Sequence, residues 1–214
     1  MKKYFLPVLV IFLVFSCSRE KYKEDDNLSV NNSAAAYLPM NVGNYWIYQA
    51  YTCNRQDKNC RPSYIDSVYI TKDTTINRNT YYVFEGTRFG APYKAVLRDS
   101  SNFIVNEKGQ IRFALDQWNE PLYTHVQVSG DQLNDTLYTV EYHMEKPGKK
   151  VKTGVGTYNA LLFKGMVYLK NNDTPYSKSM GNFYVRNIGL IKEESFYFGS
   201  GDLIHRDLIR YKID

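Results

Sequence analysis

Three features of this 214-residue sequence predict an all-β fold of antiparallel strands. Beyond residue 36 short stretches alternate apolar and polar residues with period two, and no window of useful length shows the 3.6-residue period of an amphipathic helix. Twenty tyrosines and eleven phenylalanines, with valine and isoleucine, supply the residues that pack best on a pleated surface. Turn residues interrupt the alternation at strand-like spacing. Such a succession fits an antiparallel barrel, half-barrel or sandwich, and residues 37–214 are of a length that folds as a single domain.

The chain opens with Lys2 and Lys3 before an apolar run over residues 5–15, broken only by Pro7. A charged start and a run of this length predict a secretory signal over residues 1–16. A membrane-spanning helix needs about 20 apolar residues, and here Ser18, Arg19 and Glu20 follow at once. Val14-Phe15-Ser16-Cys17 resembles the bacterial lipobox, in which a small residue precedes a cysteine that takes a diacylglycerol. Two acyl chains are what stable membrane attachment requires. The expectation is therefore a lipid anchor on Cys17. Residues 18–36 hold charges, asparagines, serines and Ala34-Ala35-Ala36, with almost no large apolar side chain, and so predict a flexible tether.

Strands are predicted over residues 45–51, 64–70, 81–85, 93–99, 103–106 and 111–115. Residues 123–128, 136–144, 151–157, 160–169, 183–185, 190–198 and 203–211 follow. Lys146-Pro147-Gly148, Asn171-Asn172-Asp173 and Gly199-Ser200-Gly201-Asp202 are predicted turns between them. Residues 116–120, with Trp118, predict one helical turn ended by Pro121. Within the first strand Trp46 and Tyr48 share a face and form an expected core anchor. A transmembrane barrel is disfavoured, since the lipid anchor makes it redundant and the strands carry charge on what would be the lipid face.

An exported chain with three cysteines leaves Cys53 and Cys60 as an even pair once Cys17 is acylated. A disulfide across this short loop is worth about 2.5 kcal/mol in the chain-entropy model. The rival, a zinc half-site, has closer cysteine spacing and a second ligand pair, which this chain lacks. Losing Lys2 and Lys3 with the signal takes two of the 27 basic residues, so 25 face 22 acidic ones, spread without a stripe. That distribution lacks the basic stripe that binding a nucleic-acid backbone needs, and no nucleic-acid partner is expected.

The search for chemistry is mostly negative. His125, His143 and His205 lie far apart on three predicted strands, so no metal is expected. Ser200 lacks the spacing of a nucleophile elbow. Gly154-Val155-Gly156 is a lone G-x-G without a strand-to-helix context, so neither nucleotide nor other cofactor is expected. Glu193 and Glu194 are adjacent and point to opposite faces of a strand, which suits no cooperating acid and base. No catalytic residue is assigned, and the chain is read as no enzyme.

Three islands carry a family resemblance. Tyr37-Leu38-Pro39-Met40-Asn41-Val42-Gly43-Asn44-Tyr45-Trp46-Ile47-Tyr48 opens the domain, and Gly156-Thr157-Tyr158 with Phe163-Lys164-Gly165 stands in its middle. Phe183-Tyr184-Val185-Arg186-Asn187-Ile188-Gly189-Leu190-Ile191-Lys192-Glu193-Glu194 closes it. Together they resemble uncharacterised outer-membrane lipoproteins of Bacteroidota-type bacteria. The resemblance implies an antiparallel β-domain and no known reaction. It also implies attachment to the outer membrane, with the delayed acids Glu24, Asp25 and Asp26 favouring the periplasmic face over the cell surface. Asp66-Ser67-Val68, Asp73-Thr74-Thr75 and Asp135-Thr136-Leu137 are similar to that group's O-glycosylation acceptor. The functional expectation is a non-enzymatic binding or interaction module of the cell envelope, its partner an envelope protein, glycan or lipid. The alternative is a carrier that holds a lipid or other apolar ligand in a half-barrel cavity.

Overall fold

The computed structural model describes residues 33–54, 59–118, 120–128, 136–170, 176, 178–197 and 200–214. The signal over residues 1–16, the anchor at Cys17 and the tether up to residue 32 lie outside the described residues.

A short 3-10 turn, Ala34–Tyr37, precedes twelve strands: β1 (Tyr45–Cys53), β2 (Cys60–Ile76), β3 (Asn79–Arg88), β4 (Ala91–Ser100), β5 (Phe103–Asn106) and β6 (Ile111–Ala114). Next come β7 (Tyr123–Val128), β8 (Thr136–Thr153), β9 (Gly156–Leu169), β10 (Ser179–Val185), β11 (Gly189–Phe196) and β12 (Leu203–Lys212). They form one antiparallel sheet in the order β6-β5-β4-β3-β2-β1-β12-β11-β10-β9-β8-β7. Every strand pairs with its sequence neighbour except at one place, and one further pair joins the two ends of the chain. β1 pairs with β12, from Tyr45↔Lys212 to Cys53↔Leu203, and β6 does not pair with β7. The result is a nearly closed antiparallel barrel whose one slit lies between β6 and β7.

Alternation dictates the interior. In β1, Trp46, Tyr48 and Ala50 are buried and Tyr45, Ile47 and Gln49 only partly so. Their inward faces meet Ile70, Phe84, Phe113, Ile191 and Leu208 in one large apolar core. Trp46 is its anchor: the indole Nε1 donates to the Ile188 carbonyl at 2.6 Å, and the ring stacks on Phe84 at 6.1 Å between centroids. Gly189, at φ +101°, stands so close that an added Cβ would lie 3.1 Å from that Nε1. Glycine is needed there both for the left-handed backbone and for the space.

Four expectations are corrected. The ordered fold begins before Tyr37, because Ala34 is fully buried, its amide donates to the Ser101 carbonyl, and Asn187 donates its amide to Ala36. Small side chains let this segment lie between the β4–β5 and β10–β11 turns, held by backbone hydrogen bonds where little apolar area is available. Lys146-Pro147-Gly148 is no inter-strand turn, since β8 runs through it with only a register shift between Glu145 and Lys149. The turn lies instead at Gly154-Val155, inside the run taken as one strand over residues 151–157. No helical turn occurs among the described residues of 116–120; Trp118 packs against the core and bridges to Met144.

Cys53 and Cys60 face each other across β1 and β2 and are joined by a disulfide. Trp46→Ala should lower the unfolding free energy by about 3–5 kcal/mol, read as a shift in urea midpoint. A midpoint unchanged within error would remove Trp46 from the core role.

Candidate functional site

Four charges sit at inward positions of four strands: Asp66 on β2, Arg88 on β3, Glu193 on β11 and Arg206 on β12. Arg206 Nε donates to Glu193 Oε2 at 2.8 Å, and its Nη1 lies 3.7 Å from Asp66 Oδ2 and donates to the Thr87 carbonyl at 3.2 Å. Arg88 Nε donates to Glu193 Oε1 at 2.7 Å, with Nη2 paired to the same oxygen. Asp66 accepts the amides of Phe89 and Gly90 at 2.7 and 3.0 Å, which folds the β3–β4 turn over the interior. The guanidinium of Arg206 is stacked 4.4 Å over the Tyr48 ring. Two cations and two anions therefore meet inside the barrel, Asp66, Glu193 and Arg206 sealed from water and Arg88 facing the interior space, and each has hydrogen-bonding partners, as buried charges require.

The network fixes protonation states. Burial alone would raise the Glu193 carboxyl, but the charges of Arg88 and Arg206 and their hydrogen bonds hold it below its ordinary value. The charge of Glu193, working against burial, raises Arg88 further above its usual range. Burial raises the hydroxyls of Tyr48, Tyr93, Tyr142 and Tyr184, so all four remain protonated donors at neutral pH.

Above this floor the interior is hollow. A cavity of about 750 Å³ extends from Glu193 and Arg206 past Tyr93, Tyr142 and Tyr184 to Lys108 and Arg112 near the β5–β6 turn. Arg88 retains 46% of its side-chain exposure although protein surrounds it, because the surface it exposes is the cavity's own. A second hollow of about 460 Å³ opens at the β6–β7 slit between Arg112, Tyr123 and His125. Both volumes lie in the range of small-ligand sites, about 300–1,000 Å³.

The three histidines are not brought together. His125 lines the slit, 3.4 Å from the Tyr123 hydroxyl. His143 stays on β8, its pKa lowered by burial and by Lys164. His205 packs against Cys53 Sγ at 3.5 Å and faces Asp207, and burial lowers its pKa. Cys53, Cys60 and His205 have ligand atoms within 4.8 Å of one another, but sulfurs bonded to each other supply no thiolate for a metal. Glu193 is buried and Glu194 exposed on the opposite face. In Asp66-Ser67-Val68, similar to a glycosylation acceptor, Asp66 is fully buried and holds the β3–β4 turn, while the neighbouring Ser67 is half-buried.

Asp66, Arg88, Glu193, Arg206 and Arg112 were not singled out as site residues from sequence, since they form no motif and meet only through the barrel. One signal does exist: Asp66 lies in step with buried Val68 and Ile70, Glu193 with Ile191, and Arg206 with Leu208. Charge at core parity marks an interior network.

The sequence matches no protein-family profile and no curated protein. Among solved structures it is similar to a Bacteroides fragilis protein described as exported and of YmcC-like fold, with 13% identity and a TM-score of 0.47. A Parabacteroides distasonis protein described as a lipoprotein is similar at 13% identity and a TM-score of 0.46. Each similarity covers 82% of this chain and 98% of the other.

Glu193→Gln should destabilise the barrel at neutral pH by about 3–5 kcal/mol, because it strips a buried arginine of its counter-charge. The folded pKa of Glu193 is depressed, so its contribution is complete above the unfolded value and lost as pH falls through the folded one. The stability gap between wild type and variant should therefore shrink below about pH 4. Urea titrations at neutral and acid pH measure it, and equal midpoints at neutral pH would show that the pair carries no stability.

Proposed function

We propose that this chain is a lipid-anchored protein of the cell envelope that binds a polar ligand inside its barrel and does not transform it. The observation that carries the reading is the cavity of about 750 Å³ with a charged, tyrosine-rich wall. Its wall suits recognition: the tyrosine hydroxyls are held as donors, Arg88 and Arg206 as cations, and Glu193 as an anion between them. A carboxylate so tightly paired is a poor proton donor or acceptor near neutral pH, which supports binding over catalysis. Guanidiniums and hydroxyls are also a poor wall for an acyl chain, since a ligand without polar groups would leave them unsatisfied. The cavity thus favours the binding module over the apolar carrier.

The anchor on Cys17 is supported by Val14-Phe15-Ser16-Cys17 and the polar segment after it, and attachment to the periplasmic face of the outer membrane by the resemblance to Bacteroidota-type lipoproteins and the delayed acids Glu24, Asp25 and Asp26. Metabolic labelling with a palmitate analogue should mark wild type and not Cys17→Ala; equal labelling of both would sink the anchor. Chain extracted from its host in mild detergent should carry a polar adduct in native mass spectrometry. Asn182→Trp, which fills the cavity floor, should come out bare with its melting temperature kept. Wild type found bare, or an adduct indifferent to the filled cavity, would overturn the reading.

A further inference from the structure

We infer that the ligand is an acidic saccharide, its anionic group taken by Arg112 and a sugar ring laid against the Tyr123–Tyr142 wall; this rests on reading the interior cavity as the ligand site. The first ground is charge. Arg88 and Arg206 are neutralised by Glu193 and Asp66. Arg112 is different. It is half-buried, its Nη2 donates to Gln110 Oε1 at 3.1 Å, and it lies 4.9 Å over the Tyr123 ring. Among the described residues no carboxylate forms an ion pair with it. Lys108 stands exposed beside it on the same wall, also without an ion pair to a carboxylate among the described residues. A guanidinium in a recess with donors to spare is matched by a carboxylate, sulfate or phosphate, whose paired oxygens fit its planar fork.

The second ground is shape. Tyr123, Tyr142 and Phe163 form a file across β7, β8 and β9, adjacent planes lying within 19° and centroids 5.8 and 5.1 Å apart. Tyr142 lies down on β9 because Gly165 is there: a Cβ at that position would come within 2.8 Å of its ring. Tyr142 borders the cavity, and Tyr123, stacked on it, borders the hollow beside it. A flat aromatic surface beside a cation takes the C–H face of a pyranose ring while the ring's carboxylate or ester reaches the cation. Asn182 and the hydroxyls of Tyr93 and Tyr184 offer hydrogen bonds to ring hydroxyls. The slit between β6 and β7 lets an extended chain enter from the side.

The test is an array of oligosaccharides carrying uronic carboxylates, sulfates or phosphates, each beside its neutral counterpart, probed with the anchored chain in detergent. At least one acidic class should bind about tenfold or more above its neutral counterpart and weaken with salt. The preferred arm identifies the anion. Arg112→Gln should lose about tenfold or more of that affinity with the melting temperature unchanged. Arg112→Lys, which keeps charge and loses the fork, should fall between. Equal binding of acidic and neutral sugars, or full affinity in Arg112→Gln, would overturn the inference. If no saccharide binds while chain from the host still carries a polar adduct, the saccharide inference falls and the binding reading stands. If sugars bind Asn182→Trp as well as wild type, both fall.

Discussion

The Arg206–Glu193 pair at the centre of the barrel constrains everything around it. A guanidinium and a carboxylate taken out of water lose several kcal/mol each in hydration, and only near-ideal geometry with further partners recovers it. Those partners come from three strands at the other end of the chain: Asp66 from β2, Arg88 and the Thr87 carbonyl from β3, and the Tyr48 ring from β1. The network is satisfied only when β12 is paired in the observed register with both β1 and β11, since Arg206 sits opposite Ala50 on one side and Glu193 on the other. A slip of one residue would turn Arg206 outward and strand Glu193 inside. The pair therefore specifies the seam as much as it stabilises the fold.

Strand number explains why there is a hollow. Barrel diameter grows with the count, and about eight strands is the size whose interior side chains fill by themselves. Twelve strands leave more space than side chains reach across. Part of it is occupied by the 3-10 turn and the apolar cluster around Trp46, Phe113 and Tyr37. The rest stays open, and polar groups along it face water or ligand at little cost while Glu193 and Arg206 below are sealed.

Strands were legible because period-two alternation is a local property, and Trp46 was legible as an anchor because its neighbours alternate with it. Local signals failed where pairing overrode them. Lys146-Pro147-Gly148 has turn chemistry, but β8 continues pairing with β9 on both sides, so the segment became an irregularity within a long strand. Val151, Thr153, Val155 and Thr157 alternate straight through the true turn and hid it. Ala34 had too little side chain to announce burial, and its place depends on two distant hairpin turns. The site was the least legible part. Its four floor charges are separated by much of the chain, and only their core parity within each strand hinted that the interior is polar.

The slit between β6 and β7 belongs to the same logic. Closing it with a ladder would press Arg112 and Tyr123 into contact over their whole length and remove the space in front of the guanidinium, burying a cation with only Gln110 and a ring for company. That is a costly environment for a charge. Leaving the strands apart keeps Arg112 accessible, but it creates two sheet edges, which in general invite pairing with other chains. β6 limits that hazard by its length of four residues, and Trp118, a few residues beyond it, bridges to Met144 on β8. The unpaired edges and an arginine without an ion pair among the described residues thus fall at one place in the barrel.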